Sequence, residues 1–183
     1  MGYIDKPARP NLRYAFLYGM LRAYGLKDDA LIVDCGCSQG VNAEVLIFNG
    51  FKVLGFDILK NSVNLAKNVG LKAQIGNIIE GLPLEDNTAD LFICSETLEH
   101  LRDTTEIKAV KEINRITKPG GLIAVTVPSH KESSLKNKYH HQYLGMEKLI
   151  ELFGSHEILW TGKFHKNANP DKGSSVLVAR CKK

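Results

Sequence analysis

Short apolar runs punctuate the chain at "LIVDC" (31–35), "KVLGFD" (52–57), "KAQIG" (72–76), "DLFICS" (90–95) and "GLIAVTVP" (121–128). Such runs are too short for helices and too continuous for strands with one wet face, so they read as strands covered on both sides. The segments between them carry a helical period. "VNAEVLIFNG" (41–50) and "NSVNLAKNVG" (61–70) each end in a glycine suited to a helix C-terminus. In "TTEIKAVKEINRITKPGG" (104–121), Ile107, Val110, Ile113, Asn114 and Ile116 recur at helical spacing until Pro119 stops the pattern. This alternation predicts an α/β architecture, a mostly parallel sheet with helices on both faces.

The two ends depart from the alternation. "NLRYAFLYGMLRAYG" (11–25) reads as an amphipathic helix laid across the sheet or over its edge. "MEKLIELFG" (146–154) reads as a helix, and the strands "HEILWTGKF" and "SSVLVARC" follow, joined by the turn-rich "HKNANPDKG". If the first of these strands runs parallel to the others, the joint lies at the carboxyl edge of the sheet, where open α/β folds bind ligands. A length of 183 residues with 44% hydrophobic content supports one core. One domain is therefore expected over 1–183, with the N-terminal helix at 11–25, a core at 30–128 and a substrate-side helix and hairpin at 129–183.

Composition adds little. A net charge of +4 favours phosphate-bearing partners without announcing a nucleic-acid binder. Cys35, Cys37, Cys94 and Cys181 form no C-x-x-C pair, which fits reduced thiols and small packing residues. "MGYIDKPARP" lacks an apolar leader core, and no apolar run reaches the roughly 18 residues of a membrane span, so a cytoplasmic protein is expected.

The candidate chemistry sits at strand ends. "IVDCGCSQG" places Asp34, Gly36 and Gly40 after the first strand, but Ser38 and Val41 stand where a dinucleotide fingerprint needs glycines, which disfavours a nicotinamide cofactor. An acid beside a glycine turn suits a ligand that brings positive charge close to the backbone. Asp57 closes the second strand about 20 residues further on, where a carboxylate takes both hydroxyls of a ribose. Asn77 follows the third strand, and its amide can meet an adenine edge. Amino acid, ribose and base together describe S-adenosylmethionine.

"IVDCGCSQG", "LGFDIL", "GNIIEGLPLEDNTADLFICSETLEHL" and "EINRITKPGGLIAVTVP" resemble, in order and spacing, the successive motifs of class I S-adenosylmethionine-dependent methyltransferases over roughly residues 30–128. The resemblance implies a three-layer, Rossmann-like, seven-stranded sheet with its last strand antiparallel. It assigns Asp34, Gly36, Cys37 and Gly40 to the methionine part, Asp57 and Ile58 to the ribose, Asn77 and Ile78 to adenine, and Ser95 to the wall beside the sulfonium. One departure is Asn77, where the family often has Asp; an amide oxygen can accept from the adenine amino group equally well.

After the fourth strand comes "SETLEHL" (95–101), which in this family lies beside the transferable methyl group. Glu96, Glu99 and His100 stand at i, i+3 and i+4, one face if the segment is helical. Two oxygens and a nitrogen suit Mn²⁺, Fe²⁺ or Zn²⁺ better than Mg²⁺. The stretch resembles the E-x-x-E-H of two metal-using branches, the O-methyltransferases of ubiquinone biosynthesis and the 2′-O-methyltransferases of RNA 3′ ends. In the second branch a further histidine completes the site, and "KYHHQYLGMEKL" offers His140 or His141. A hydroxyl oxygen is thus the expected acceptor, on a small molecule or an RNA end, with "SHKESSLKNKYHH" (129–141) flanking the pocket. Alternatives stay open. The site can be metal-free, with His100 or His140 as the base of an O-, N- or C-methyltransferase, or the chain can be a non-catalytic cofactor-binding partner subunit. Homodimer and partner-subunit assembly are equally open.

Overall fold

The computed structural model describes residues 12–102, 104–165 and 173–182. Seven strands form one sheet: β1 (Leu31–Cys35), β2 (Lys52–Asp57), β3 (Lys72–Ile75), β4 (Ala89–Ser95), β5 (Thr117–Pro128), β6 (Glu157–His165) and β7 (Gly173–Arg180). Their order is β3-β2-β1-β4-β5-β7-β6. β3 to β5 pair in parallel, and β7 runs antiparallel to both β5 and β6, as expected. β6 is therefore parallel to the first five strands, so β6 ends and β7 begins at the carboxyl edge, on either side of the expected joint. Its residues 166–172 lie outside the described part, as do the first residues of the N-terminal stretch.

The continuous apolar runs are explained by two cores, one on each face. Ile32, Val53, Leu91, Ile93, Leu122, Ala124, Val176 and Val178 pack under α1 (Leu12–Ala23), α2 (Glu44–Phe48) and α3 (Lys60–Asn68). Val33, Phe56, Phe92, Ile123, Val125 and Leu177 pack under α4 (Glu106–Ile116) and α6 (Gly145–Phe153). Each fully buried Phe or Leu contributes about 1.5–3 kcal/mol. α1 lies on the sheet as expected, through Leu17 and Leu21, with Tyr18 edge-on to Phe51 at 5.8 Å. Among the described residues no helix is long and apolar enough to cross a membrane. The four cysteines are buried, as packing residues.

Three boundaries differ from the sequence pattern. α2 keeps only Glu44–Phe48 of the expected 41–50, because Gly40 opens a turn that continues into residues 41–43. α4 stops at Ile116, and Thr117 and Lys118, read as the end of the helix before Pro119, belong to β5 instead. There Thr117 pairs with Ala89, the register slips before Leu122 pairs with Leu91, and the slack is taken up around Pro119. Within "SHKESSLKNKYHH", Lys131–Leu135 forms a short helix, α5.

The loop from β3 to β4 is fixed by one arginine. Arg115 bonds the carboxylates of Glu112 and Asp86 at 2.8 Å and the carbonyls of Leu82 and Leu84, while Glu112 accepts the Leu82 N–H at 2.6 Å. This holds the loop against the last turn of α4, at the amino edge of the sheet where β4 and β5 begin.

Candidate active site

The glycine loop is built by three turns of left-handed backbone. Gly36 (φ +79°), Ser38 (φ +50°) and Gly40 (φ +78°) bend the chain off β1, and the N–H groups of Gly36 and Cys37 both donate to the Phe56 carbonyl, at 2.8 and 3.0 Å. Gly40 must lack a side chain, since a Cβ there would come within 3.0–3.1 Å of Val69 and the Ala66 backbone of α3. Cys37, expected to contact a ligand, offers it neither its side chain nor its N–H. Its side chain is buried in the core under α1–α3, its N–H is taken, and burial pushes its thiol pKa far up. It shapes the turn.

Asp57 ties this loop to β2. One carboxylate oxygen accepts the Ser38 N–H and the other the Leu59 N–H, both at 2.9 Å. Each oxygen keeps a lone pair for a ligand hydroxyl. Beside it the apolar Ile58 is 63% exposed and Leu59 55%, although apolar side chains of this size are usually covered.

Asp34 is the most unusual carboxylate of the edge. It is 1% exposed, and neither oxygen has a hydrogen-bond partner. Desolvation pushes its pKa up to about 7, and the nearby charge of Asp57 adds to the rise. Buried polar groups are nearly always paired, so this one lacks a cationic or donor partner. The ammonium of an amino acid has that chemistry.

At the third strand, Asn77 follows β3 and pairs with Gly81 in an isolated bridge, and its Oδ1 already accepts the Ile79 N–H at 3.2 Å. One lone pair of Oδ1 and the NH₂ group remain for a base. Ile78 turns its side chain into the core under α4, so only its backbone can meet a ligand.

"SETLEHL" is not an α-helix. Ser95 ends β4, Glu96 takes a left-handed conformation (φ +50°), and only Leu98–His100 form a turn of 3₁₀ helix. The four expected metal ligands consequently divide. Glu99, His100 and His140 bring one ligand atom each within 4.8 Å of one another. Glu96 stands outside that set, its N–H on the Thr126 carbonyl at 2.8 Å and its Oε1 accepting the Thr126 hydroxyl at 2.9 Å. The Thr126 oxygen in turn lies 2.8 Å from Ser95 Oγ.

The two histidines of the set are oriented by the turn after α5. His100 Nδ1 lies 2.9 Å from the Tyr139 carbonyl, which can only accept, so Nδ1 carries the proton and Nε2 presents a lone pair. Asn137 Oδ1 accepts the Tyr139 N–H, which leaves its NH₂ facing His140 Nε2 at 2.8 Å; His140 Nδ1 then donates to Ser134 Oγ at 2.9 Å. Burial, and the neighbouring His100 ring 4.7 Å away, lower the His140 pKa and keep it neutral near pH 7. His141 is not part of this arrangement. Its N–H bonds the Glu99 carbonyl at 2.9 Å and its side chain is exposed.

Thr97, Thr126, Ser134 and Asn137 escaped the sequence reading. Thr126 had one signal, a lone hydroxyl inside the apolar run "IAVTVP". The others are brought in by tertiary structure alone.

Comparison with known proteins gives these positions a context. The family model described as "Methyltransferase domain" matches residues 33–125. An uncharacterized protein of Methanocaldococcus jannaschii is 36% identical over 135 residues, 73% of this chain and 56% of the relative. A ubiquinone biosynthesis O-methyltransferase of Acinetobacter baylyi is 27% identical over 150 residues, 77% of this chain and 58% of the relative. The chain thus spans about half the length of the curated relatives it matches. Among solved structures, the N-methyltransferase NodS of Bradyrhizobium japonicum in complex with S-adenosyl-L-homocysteine superposes with a TM-score of 0.77 at 17% identity, covering 94% of this chain and 87% of that one.

Proposed function

Since the chain belongs to the class I S-adenosylmethionine-dependent methyltransferases, we propose that it methylates a hydroxyl oxygen with the help of a divalent metal held by Glu99, His100 and His140. The observation that carries this reading is the meeting of those three ligand atoms within 4.8 Å at the end of β4, on the edge that also bears Asp34 and Asp57.

The residues fit the cofactor. Asp34 is a buried carboxylate without a partner, suited to the ammonium of the methionine part. Asp57 takes the ribose hydroxyls, the exposed Ile58 and Leu59 offer an apolar face to the base, and Asn77 meets its edge. Ser95, at the end of β4, walls the reacting centre. When bound, the cofactor supplies a methyl group already activated on a sulfonium. The protein's share is alignment of the acceptor and removal of its proton.

The residues fit a metal as well. Two imidazoles and one carboxylate suit Mn²⁺, Fe²⁺ or Zn²⁺. Such an ion would supply a Lewis acid that lowers the pKa of the acceptor hydroxyl. Tyr139 holds His100 in the ligating tautomer, whereas His140 joins the set only by giving up one of its two ring partners.

Two acceptor classes are compatible with this reading. The A. baylyi relative, named for ubiquinone biosynthesis, favours a catechol-like ring. The exposed Lys131, Lys136, Lys138, Leu135 and Tyr139 beside His140 favour an RNA end, whose phosphates and bases suit lysines and apolar or aromatic faces.

Two expected results test the reading. Methyl transfer to a panel of catechols and RNA oligonucleotides should fall at least roughly tenfold in chelator and return with Mn²⁺ or Zn²⁺, and Glu99→Ala should reproduce the chelated state while still binding S-adenosylhomocysteine. Full activity in chelator would remove the metal from the proposal and leave His100 or His140 as the base. In Asp57→Ala, calorimetric titration should show S-adenosylhomocysteine binding weakened by about 2 kcal/mol or more. The loss includes the freed Ser38 amide, so Asp57→Asn, which keeps one acceptor, should lose less. Equal affinity in all three proteins would place the ribose elsewhere.

A further inference from the structure

Glu99, His100 and His140 come from two separate segments of the chain, so the set exists only while those segments keep one register. We infer that Gln142 sets that register: it is the positioning residue that holds the segment carrying His140 against the turn carrying Glu99 and His100. This rests on the metal-assisted reading above.

The two segments meet along a seam. Glu99 and His100 lie on the 3₁₀ turn Leu98–His100, whereas His140 lies in the long connection between α5 and α6. Connections of this kind open more readily than the elements they join, and a ligand carried on one has to be pinned. The backbone supplies one point of attachment. The N–H groups of His141 and Gln142 both donate to the Glu99 carbonyl, at 2.9 and 3.4 Å. Two bonds that converge on one oxygen leave the segments free to pivot about it. The Tyr139 carbonyl fixes the His100 ring, not the backbone of the turn.

The side chain of Gln142 removes the pivot. Its Nε2 lies 3.2 Å from the Leu101 carbonyl and 3.4 Å from the Leu98 carbonyl, on either side of Glu99 in the chain. It also lies 3.4 Å from Oε2 of Glu106, in the first turn of α4. The two carbonyls can only accept, so the amide must turn its NH₂ group toward them. Each contact is long, and they act together as a clamp rather than as one strong bond. All three oxygens need a donor: carbonyls at the end of a helical turn lack partners within it, and Glu106 is only 5% exposed.

The next residue extends the clamp to the sheet. Tyr143 donates its hydroxyl to the Ser129 carbonyl at 3.1 Å, just past the end of β5. Its ring lies against Gly145, where a Cβ would come within 3.0–3.2 Å of it. His140 is therefore held on one side by Ser134 and Asn137 and on the other by Gln142 and Tyr143. Gln142 acts through the ligands alone.

The test titrates Mn²⁺ and S-adenosylhomocysteine into the full chain carrying Gln142→Met or Gln142→Glu, two replacements of nearly the same size that cannot donate at pH 8. Mn²⁺ affinity should fall about tenfold or more in both, while S-adenosylhomocysteine affinity stays within about twofold of the parent. The glutamate separates positioning from charge. A new carboxylate near a cation draws it in, so without a clamp to lose Gln142→Glu would bind Mn²⁺ more tightly than the parent. With Co²⁺ at saturation, the visible bands of both variants should differ from the parent's, because the geometry of the set has changed; lowered stability alone does not move them. If one variant does not fold, the other decides. Unchanged Mn²⁺ affinity or unchanged Co²⁺ bands in a folded variant, tighter Mn²⁺ binding by Gln142→Glu, or a parallel loss of Mn²⁺ and S-adenosylhomocysteine binding would each overturn the inference. A parent that binds no Mn²⁺ would instead remove the metal from the proposed function, and this inference with it.

Discussion

Asp34→Asn should make the unliganded protein less sensitive to alkali while destroying its grip on the cofactor. The sign follows from the position of the titration. In the unfolded chain the carboxyl ionises near its model value of 3.8, and in the fold burial raises it to about 7. The folded state therefore holds a proton the unfolded state has lost between these values, and stability falls as pH rises across that window. The fall is complete above the folded pKa. From pH 5 to pH 8 this one group removes about 3 kcal/mol from the parent, and nothing from a variant with a neutral amide. Urea unfolding at the two pH values reads the difference directly.

The same burial sets the pH dependence of binding. An ammonium beside Asp34 stabilises the carboxylate, so below pH 7 binding must expel a proton. Affinity for S-adenosylhomocysteine should drop about tenfold per pH unit as pH falls from 7, with one proton released in titrations run in buffers of different ionisation enthalpy. Asp34→Asn should bind weakly at every pH. A parent whose affinity is flat between pH 5.5 and 7.5 would mean the ammonium lies elsewhere.

The strand-end carboxylates were legible because they obey rules local to the chain. A parallel strand reads as a continuous apolar run, its carboxyl end is where the run stops, and Asp34 and Asp57 stand at or next to those stops. The seven strands and the reversed last strand came from the family resemblance, and the pairing agrees. The helical reading of "SETLEHL" was not secured in this way. Nothing in the local sequence demands φ +50° at Glu96; that conformation is held by Thr126, 30 residues away. The spacing i, i+3, i+4 thus named Glu99 and His100, which do meet, together with Glu96, which stands outside their set, and the helix it assumed is absent. The choice between His140 and His141 was equally out of reach, since neighbours in sequence differ only in which one the turn after α5 aims at His100. Likewise, Thr117 and Lys118 extend the helical stretch up to Pro119, but the backbone bonds that Gly120 and Gly121 make with Cys181 draw the segment into the sheet.

Gly36→Ala should be the most damaging small substitution at the site, because Gly36 is where the glycine loop and the "SETLEHL" segment interlock. A Cβ on Gly36 would stand against the side chain of Thr97, which bonds the carbonyls of Cys35 and Ser95. Thr97 precedes the 3₁₀ turn that carries Glu99 and His100, so displacing it disturbs the cofactor loop and the metal set together. The backbone part of the cost can be isolated. Gly50 has a similar φ of +86° with nothing within 4 Å of a Cβ, so Gly50→Ala should lose only about 1 kcal/mol. Gly36→Ala adds overpacking and should lose about 3 kcal/mol or more, with S-adenosylhomocysteine and Mn²⁺ binding both weakened. In the double variant with Thr97→Ala the hydroxyl is gone, but the Thr97 Cβ still lies 3.0 Å from the new methyl, so stability should recover only in part. A double-mutant cycle by urea unfolding should give a coupling of about 1–3 kcal/mol. A Gly36→Ala protein no less stable than Gly50→Ala, or a cycle with no coupling, would show that the two segments are not locked together at this glycine.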